Sequence, residues 1–366
     1  MRLIYDLRIL ENGMHGMARY GLELLRAMLE QDPELSVGVL LRRPEHARHL
    51  PADPRLVALA CDLAPYGVKA QLRLPRLLSA LDMDLYHCPF YAPPALFAGP
   101  VVFTIHDLIH LRFPRHHGPK HRLFYRLVVG PAARRARVVF TVSRHSRQDI
   151  VEMLGVDPRR VVLTPNGVGP AFRPLEGDAA QAVEELGWPR EYLLGVGNPR
   201  PHKNLAALVE AHRLLEEERG PEAVPPLVLV GVRPGELAGV RPGPRLILCG
   251  QLDDRELALA YGAARAVVIP SLYEGFGLPA LEALACGAPL VASNRASLPE
   301  VVGRAGLLCE PDAASLAATL GRLLEDDELA AELREAGPRR AARFTWRRAA
   351  RQALAAYRRV LEGGRR

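Results

Sequence analysis

The chain has 366 residues and a net charge of +7; 49% of its residues are hydrophobic, 24% are charged and 6% are aromatic. This length exceeds what one hydrophobic core usually serves, so two domains are expected, and the apolar content excludes a disordered or fibrous protein. No run of about eighteen apolar residues occurs, which excludes a membrane-spanning helix, and the opening MRLIYDLRIL has no cleavable apolar core, so no signal peptide is expected.

Six short β-branched runs divide the first half of the chain, and each is followed by a turn and a helical pattern. They begin at Leu3, Val37, Asp84, Val101, Val138 and Val161. Continuous apolar strands that alternate with helices predict a parallel sheet covered on both faces. We therefore predict a doubly wound, Rossmann-like domain over residues 1–170.

A segment rich in proline and glycine, without periodicity, follows at residues 167–180, and we place a linker at 171–185. Five further β-branched runs begin at Tyr192, Leu227, Arg245, Ala266 and Pro289. They predict a second Rossmann-like domain over 186–342, followed by a last segment over 343–366. The fold class is therefore α/β, with two doubly wound parallel-sheet domains and ligands at the carboxyl ends of the strands.

Two places in the first half carry candidate site residues. Gly13 and Gly16, in the loop after the first strand, let the backbone approach a ligand closely, although an ordinary strand–helix turn explains them equally well. His106 and Asp107 directly follow the fourth predicted strand, where a histidine can donate to a sugar hydroxyl or to a developing charge. A structural histidine is the alternative at that position.

Basic residues are concentrated in two segments. Residues 111–150 hold ten cations against Asp149, a net charge of +9, and residues 343–366 hold eight arginines against Glu362, a net charge of +7, so the rest of the chain carries −9. This distribution predicts an anionic partner surface, with a solvated arginine-rich face as the alternative. Apolar residues between the cations of the first segment fit a helix at a membrane interface.

In the second half, the stretch LLGVGNPRPHKNLAALVEAHRLL runs from a strand through a glycine–proline loop into a helix, which Asn204 can cap. Arg200, His202 and Lys203 therefore lie at the carboxyl end of the strand, beside a helix N-terminus. Cations at that position would stabilise a leaving pyrophosphate, which gains charge as a glycosidic bond breaks.

The stretch SLYEGFGLPALEALACGAPLVAS leads from another strand through a loop into a helix, which we predict to begin near Pro279 and to stop at Gly287. A glycine loop before a helix N-terminus exposes backbone N–H groups where negative charge is stabilised. The residues of this predicted anion site are Phe276, Gly277 and Leu278.

Two carboxylates, Glu274 and Glu282, flank the predicted anion site. Carboxylates accept hydrogen bonds well from sugar hydroxyls. Phosphate on backbone amides, together with hydroxyls on carboxylates, is the combination that a nucleotide sugar requires. The alternative is that Glu282 merely occupies the first helical turn. That alternative does not explain the spacing of the two glutamates or the glycines between them.

This last stretch resembles the signature of the retaining glycosyltransferases of family four, a large group with the GT-B fold, in which two Rossmann-like domains face a cleft. The E-x7-E pair of that signature maps onto Glu274 and Glu282. The resemblance implies that residues 1–170 form the acceptor domain and residues 186–342 the nucleotide-sugar donor domain, and that the last helix, in 343–366, crosses back onto the first domain. It also implies that Glu274 faces the donor sugar and that Glu282 holds the ribose hydroxyls. It covers nearly the whole chain and is strongest from Tyr192 to Gly303.

The resemblance also assigns roles to the other candidates. Lys203 matches the family's Lys-Asn or Lys-Gly pair at the phosphates. Many members have an arginine directly before this lysine, where the present chain has His202; we assign Arg200 as the second phosphate contact, with His202 as the alternative. Gly16 matches a glycine loop that borders donor and acceptor, and His106 matches a histidine near the reacting sugar.

The matches predict a hexosyltransferase that retains the configuration of the sugar and requires neither a cofactor nor a divalent metal. Glu274 and His106 are the catalytic candidates. The favoured donor is GDP-mannose, and the acceptor is a glycan or a lipid-linked sugar in surface polysaccharide or glycolipid synthesis. The alternatives are a UDP-sugar glucosyl- or N-acetylglucosaminyltransferase, a nucleotide-sugar epimerase and, more remotely, a basic nucleic-acid-binding protein.

The expected location is the cytoplasm, with peripheral attachment to the inner face of the plasma membrane through residues 111–150 and 343–366. Five scattered cysteines without a Cys-x-x-Cys pair favour a reducing compartment over a disulfide framework or a zinc site. No nucleic-acid partner is expected, because the predicted chemistry lies in the acidic half and no aromatic-rich RNA motif occurs.

Overall fold

The computed structural model describes residues 1–12, 15–115, 118–175, 177–184, 187–237, 239–240 and 243–363. The chain divides into two units: the first contains Met1–Gly167 together with Thr345–Arg366, and the second contains Val168–Phe344. Within the described ranges, no helix is long and apolar enough to cross a membrane.

The first unit is built on a parallel sheet. Its strands are β1 (Arg2–Asp6), β2 (Ser36–Leu41), β3 (Leu56–Ala60), β4 (Leu85–Cys88), β5 (Val101–Thr104), β6 (Val138–Thr141) and β7 (Val161–Leu163). In the described part of this unit they form one seven-stranded sheet in the order β3-β2-β1-β4-β5-β6-β7. Strands β4 and β6 are buried along their whole length, as strands covered on both faces must be.

Helices connect these strands. They are α1 (Gly16–Gln31), α2 (Val68–Ser79), α3 (Ile109–Arg112), α4 (Pro119–Phe124), α5 (Gly130–Arg135) and α6 (Arg144–Leu154). A π-helical turn, Tyr125–Val129, makes α4 and α5 continuous. Short 3-10 turns occupy Arg8–Asn12, Pro44–His49 and Pro158–Arg160.

The second unit repeats the design. Its strands are β8 (Leu193–Val196), β9 (Leu227–Val230), β10 (Leu246–Cys249), β11 (Ala266–Ile269), β12 (Leu290–Ser293) and β13 (Leu307–Cys309). Over the described residues they form a parallel six-stranded sheet in the order β10-β9-β8-β11-β12-β13. The two sheets and their crossover helices confirm the predicted α/β class with two Rossmann-like domains.

The helices of the second unit cover both faces of its sheet. They are α7 (Ala179–Glu184), α8 (Leu205–Arg219), α9 (Asp254–Ala263), α10 (Leu278–Ala285), α11 (Leu298–Val302), α12 (Ala313–Glu325) and α13 (Asp327–Ala341), with 3-10 turns at Pro201–Lys203 and Pro221–Ala223. The segment 171–185, where we placed the linker, contains α7, which packs against α9.

A last helix, α14 (Trp346–Glu362), returns to the first unit. It packs against α1 through a buried face of small and aromatic residues. Gly167 makes this return possible, because a Cβ atom there would lie 2.3 Å from the backbone nitrogen of Trp346.

Two strands, β3 and β13, are absent from the predicted set of runs, so the prediction is wrong there. Both lie at the edges of their sheets, where one side of the strand has no neighbour. Strand β3 is largely exposed, and β13 has only three residues, so neither produces the continuous apolar run that marks a central strand.

Candidate active site

A cation and a carboxylate from two loops meet at the carboxyl edge of the second sheet. Lys203 ends the 3-10 turn after β8, and Glu274 lies in the loop after the neighbouring strand β11. The Lys203 Nζ donates to Glu274 Oε1 at 2.7 Å, and the two side chains are only 15% and 11% exposed. Ser271 Oγ donates to the same oxygen at 2.7 Å. Two residues 71 positions apart therefore form one charged pair.

Further hydrogen bonds fasten the two loops to each other. The Leu272 N–H donates to the carbonyl of His202 at 2.8 Å. The sequence predicts that Asn204 caps α8, which is wrong: its side chain makes no capping hydrogen bond. The Asn204 amide instead donates to the carbonyls of Pro270, at 3.1 Å, and Pro311, at 2.6 Å. Asn204 thus joins three loops. Its own backbone is left-handed, with a φ of 56°.

The start of α10 is shaped by a glycine and a serine. Gly277 has a φ of 99°, a conformation that favours glycine, and a Cβ atom there would lie 2.8 Å from Leu298 Cδ2. The Ser297 hydroxyl lies 2.9 Å from the Glu274 carbonyl and 2.8 Å from the Phe276 carbonyl. These contacts fix the loop that contains Glu274. The N-terminus of α10 follows this loop directly, and a helix N-terminus stabilises an anion.

The second carboxylate of the pair, Glu282, lies one turn inside α10 and is buried. Its Oε2 is 3.4 Å from the hydroxyl of Tyr261 on α9. The pKa of the neighbouring Cys286 thiol is raised to about 12, mainly by burial and secondly by the charge of Glu282. Cys286 is therefore a protonated, unreactive thiol at neutral pH.

Arg200 and His202 lie in the same loop as Lys203. Arg200 is exposed, and its backbone N–H donates to Asn198 Oδ1 at 3.3 Å. Within the described ranges, no hydrogen bond or ion pair of the Arg200 guanidinium occurs, so this cation is available to a ligand. His202 contributes its backbone carbonyl to the contact with Leu272.

In the first unit, His106 follows β5 and is partly exposed. Its Nε2 lies 2.9 Å from the carbonyl of Pro89, and because a carbonyl only accepts, this nitrogen carries the proton. The Tyr20 ring meets the imidazole edge-on at 4.7 Å. Burial lowers the pKa of His106 to about 4, so the ring is neutral at pH 7. In this arrangement Nδ1 can accept a hydrogen bond from a hydroxyl, whereas the N–H at Nε2 already donates to the carbonyl of Pro89.

Tyr20 itself is fixed from the other side. Its hydroxyl lies 2.7 Å from Thr164 Oγ1, and burial raises its pKa to about 12. Gly16 begins α1 and is exposed at the end of the loop after β1. Gly13, the other glycine of that loop, lies outside the described residues.

Across the part of the chain that the structure describes, no group of three or more His, Cys, Asp or Glu side chains could hold a metal ion. The charged groups at the carboxyl edge of the second sheet instead suit a phosphate beside a polyhydroxylated group. Two residues of this edge, Ser271 and Ser297, have no role in the sequence-based prediction. Ser271 is the first residue of the stretch that contains Glu274 and Glu282, but a serine near a loop does not by itself predict a functional role.

Two protein-family models match the chain. The model described as Glycosyltransferase Family 4 matches residues 14–172, and the model described as Glycosyl transferases group 1 matches residues 190–326. The matched ranges include His106 in the first unit and both Lys203 and Glu274 in the second.

Several known proteins are similar to this chain in sequence or in fold. The O-antigen chain mannosyltransferase B of Escherichia coli is 31% identical over 388 aligned positions, which cover 98% of this chain and 99% of the relative. The serotype-specific mannosyltransferase WbdA of Escherichia coli is 30% identical over 275 positions, 71% of this chain but only 34% of that longer protein. Sucrose-phosphate synthase from Thermosynechococcus elongatus has a similar structure, with a TM-score of 0.74, 24% identity and 99% coverage of both chains.

Proposed function

Because the chain belongs to glycosyltransferase family 4 and is a glycosyltransferase, we propose that it moves a hexosyl group from a nucleoside-diphosphate sugar to a glycan or lipid-linked acceptor, with retention of configuration. GDP-mannose is the proposed donor, which the mannosyltransferase relatives support. The observation that carries the proposal is the ion pair of Lys203 and Glu274, because it joins a cation suited to the leaving phosphate with a carboxylate suited to the sugar.

The leaving diphosphate gains charge as the glycosidic bond breaks, and three features of the second unit suit its stabilisation. The Lys203 ammonium has three N–H donors and gives one to Glu274, so two are left for phosphate oxygens. The N-terminus of α10 adds backbone N–H groups and a favourable dipole. The exposed Arg200 guanidinium can bind two phosphate oxygens at once.

Glu274 is assigned to orienting the donor sugar. Its Oε1 accepts hydrogen bonds from both Lys203 and Ser271, which fix the orientation of the carboxylate as a positioning group requires. In the proposed reaction the bond from the sugar to the diphosphate breaks, the acceptor oxygen bonds to the same face, and the departing diphosphate takes the acceptor proton. A glycosyl adduct on Glu274, recovered in a peptide digest, would contradict this assignment.

The other site residues are assigned to the remaining parts of the donor. His106 is assigned to the transferred sugar, and its neutral ring supports a role in accepting a hydrogen bond from a sugar hydroxyl at Nδ1. Glu282 is assigned to the ribose hydroxyls, and Gly16 to the close approach of the loop after β1. Phe276, Gly277 and Leu278 supply the backbone at the phosphates.

A thermal-shift panel of GDP-, UDP- and ADP-sugars tests the donor assignment. We expect a shift with GDP-mannose and a clear loss of that shift in Lys203→Ala. Arg213→Ala is the matched control, because Arg213 is an exposed cation on α8 that pairs only with neighbouring glutamates in the described chain. A shift with UDP-sugars alone would indicate a UDP-sugar as the donor in place of GDP-mannose. Turnover of the donor without an acceptor would indicate an epimerase.

We further propose that the first unit attaches to an anionic membrane surface. Along α4 and the following π-helical turn, Leu123 and Leu127 are 55% and 61% exposed, with Lys120, Arg122 and Arg126 exposed beside them. Exposed leucines one turn apart and flanked by cations are typical of helices at a lipid interface.

Helix α2 repeats this pattern and supports the same proposal. Val68 and Leu72 are 77% and 56% exposed and also lie one turn apart. Lys69 and Arg73 follow them directly in the sequence and are exposed as well. A cationic surface with protruding apolar side chains gains from anionic headgroups and from apolar burial at once.

A further inference from the structure

The edge strand β3 is the most exposed strand of the first sheet. In the part of the chain that the structure describes, it is the one strand with three exposed residues, which are Val57, Ala58 and Ala60. Val57 is β-branched and 55% exposed, and the other two residues of the strand are only partly buried. One side of the first sheet therefore ends in an apolar strand that faces solvent.

The hydrogen bonds to β2 show which backbone groups of β3 point outward. The Val37 N–H donates to the Arg55 carbonyl at 3.0 Å, and the Cys61 N–H donates to the Leu41 carbonyl at 2.8 Å. Because alternate residues of a strand bond to the same neighbour, the odd-numbered residues of β3 bond to β2. The even-numbered residues point their N–H and C=O groups at the open side.

Five backbone groups lie at this open side without a partner in the protein. They are the N–H and C=O groups of Ala58 and Ala60 and the carbonyl of Leu56, none of which has a hydrogen bond within the described ranges. The Leu56 N–H is already used, because it donates to the Asp53 carbonyl at 3.1 Å. Proteins usually protect such an edge with charged residues or proline. The strand, LVALA, contains neither.

We propose that β3 pairs with β3 of a second copy of this chain, antiparallel and centred on Ala58, so that the two first sheets become one. In this register the N–H and C=O groups of the two Ala58 residues bond to each other, and the Ala60 N–H of each copy donates to the Leu56 carbonyl of the other. Four of the five open groups of each copy are then paired. The Ala60 carbonyl is left over, since the Leu56 N–H opposite it is used.

Side chains and charges favour a second copy in this orientation. Val57 lies opposite Leu59 of the other copy, so the exposed valine gains an apolar neighbour. Arg55 precedes the strand and Asp62 follows it. Antiparallel pairing brings the arginine end of one copy to the aspartate end of the other, whereas parallel pairing would bring like charges together. The strand is therefore complementary to itself in backbone, side chains and charge.

The proposed dimer is closed and weak. A two-fold pairing uses the same edge of both copies, so no third copy can add to it. A pair of five-residue strands is smaller than a standard protein interface of about 1,600 Å², and we expect a Kd on the order of 10 µM. The pairing involves the side of the sheet and not the carboxyl ends of its strands, so it is independent of the proposed transferase site.

Sedimentation velocity of the full-length protein between about 1 and 100 µM tests the dimer. We expect the mean mass to rise from 40.2 kDa toward twice that value. Ala58→Pro should raise the Kd at least about tenfold, because it removes an outward N–H and no bond to β2.

Leu308→Pro is the matched control and should dimerise as the wild type does. Leu308 is exposed on β13, the edge strand of the second sheet. Its neighbour Cys309 accepts from the Asn294 N–H, so the Leu308 N–H also points away from the sheet. Thermal unfolding of both proline variants checks that they are folded.

Disulfide trapping tests the register without a proline. The proposed pairing places the two Ala58 Cα atoms about 5.5 Å apart, within the range of a disulfide, and the two Ala60 Cα atoms about 14 Å apart. Mild oxidation should therefore link Ala58→Cys into a covalent dimer and leave Ala60→Cys unlinked. The parent protein, with its five native cysteines, gives the background.

The outcomes separate cleanly. A monomer at every concentration, a dimer unchanged in Ala58→Pro, or equal cross-linking of the two cysteine variants overturns the proposal. Assemblies larger than a dimer overturn it as well, because the two-fold pairing leaves no free β3 edge. If Ala58→Pro does not fold, the two cysteine variants decide. No nucleotide sugar is present in these measurements, so their result is separate from that of the donor panel.

Discussion

At the scale of single residues, the ion pair of Lys203 and Glu274 is the most consequential contact in the second unit. Both side chains are close to buried, so removing either one leaves the other as an unpaired charge, which is costly. A substitution at Glu274 must therefore preserve an acceptor for Lys203 and Ser271. Glu274→Gln meets this requirement through its amide oxygen, whereas Glu274→Ala does not.

We expect Lys203→Ala to lower kcat/KM by about 100-fold or more, because one donor to the developing charge is lost. Glu274→Gln should lower kcat more than it changes KM, since the neutral amide still accepts from Lys203 while its charge is gone. Initial rates with the nucleotide sugar that binds in the thermal-shift panel provide the measurement. Arg213→Ala should stay within about twofold of the wild type; a Lys203→Ala enzyme as active as that control would refute the role given to Lys203.

The sequence predicts the charged residues of this site better than their supports. The E-x7-E spacing and the loop with Lys203 follow two separate strands, and their parallel arrangement brings Lys203 to Glu274. Ser297 and the cross-linking amide of Asn204 were not predicted, because their partners are backbone carbonyls of loops remote in sequence. No side-chain pattern reports where such carbonyls point.

At the scale of elements, the sequence predicts the helices and strands whose residues are buried continuously, and it fails for those whose burial is interrupted. Helix α10 is predicted from about Pro279 to Gly287 and observed over Leu278–Ala285, because a proline in the first turn and a glycine after the end are strong local signals. Edge strands β3 and β13 were missed, since an edge needs no unbroken apolar run. The pattern of exposed apolar and cationic residues on α2 is not predicted either, because it depends on which side chains the fold leaves exposed.

We expect Leu123→Glu/Leu127→Glu to reduce co-flotation with anionic liposomes about tenfold, because the leucines lose apolar burial and the glutamates repel anionic headgroups. Both positions are exposed, so the fold should be unaffected. Leu96→Glu is the matched control: Leu96 is 66% exposed and lies between β4 and β5, away from α4. Equal flotation of the wild type with neutral and anionic liposomes would contradict the proposed membrane-binding surface.

At the scale of the whole molecule, a buried polar connection holds α14 on the first unit. The Tyr357 hydroxyl lies 2.5 Å from His87 Nδ1, and His87 Nε2 lies 3.3 Å from Thr104 Oγ1. These groups connect the last helix to β4 and β5 in the middle of the sheet. Burial lowers the pKa of His87 to about 3, so the ring is neutral in the folded protein at physiological pH.

Acid should therefore destabilise the first unit. Between about pH 6.5 and 3 the unfolded chain binds a proton at His87 that the folded chain does not, so the free energy of unfolding falls as the pH decreases, by about 2 kcal/mol at pH 5 relative to pH 7. We expect His87→Gln to lose that part of the pH dependence. Tyr357→Phe keeps the titrating ring, so it should be less stable at both pH values with the dependence retained.

Urea unfolding at pH 7 and pH 5, followed by Trp346 fluorescence, measures this effect. The chain has two tryptophans, Trp346 in the first unit and Trp188 in the second, so a Trp188→Phe background makes the signal specific. An equal loss of stability at pH 5 in His87→Gln and in the parent protein would contradict the assignment to His87.

The first unit is assembled from both ends of the chain, with the whole second unit inserted before α14. During translation the second unit, being contiguous, can fold as soon as it leaves the ribosome. The first cannot be completed until the last helix, α14, has been released from the ribosome. A nascent or prematurely terminated product therefore leaves bare the surface of α1 that α14 covers, which marks unfinished chains for chaperones and proteases.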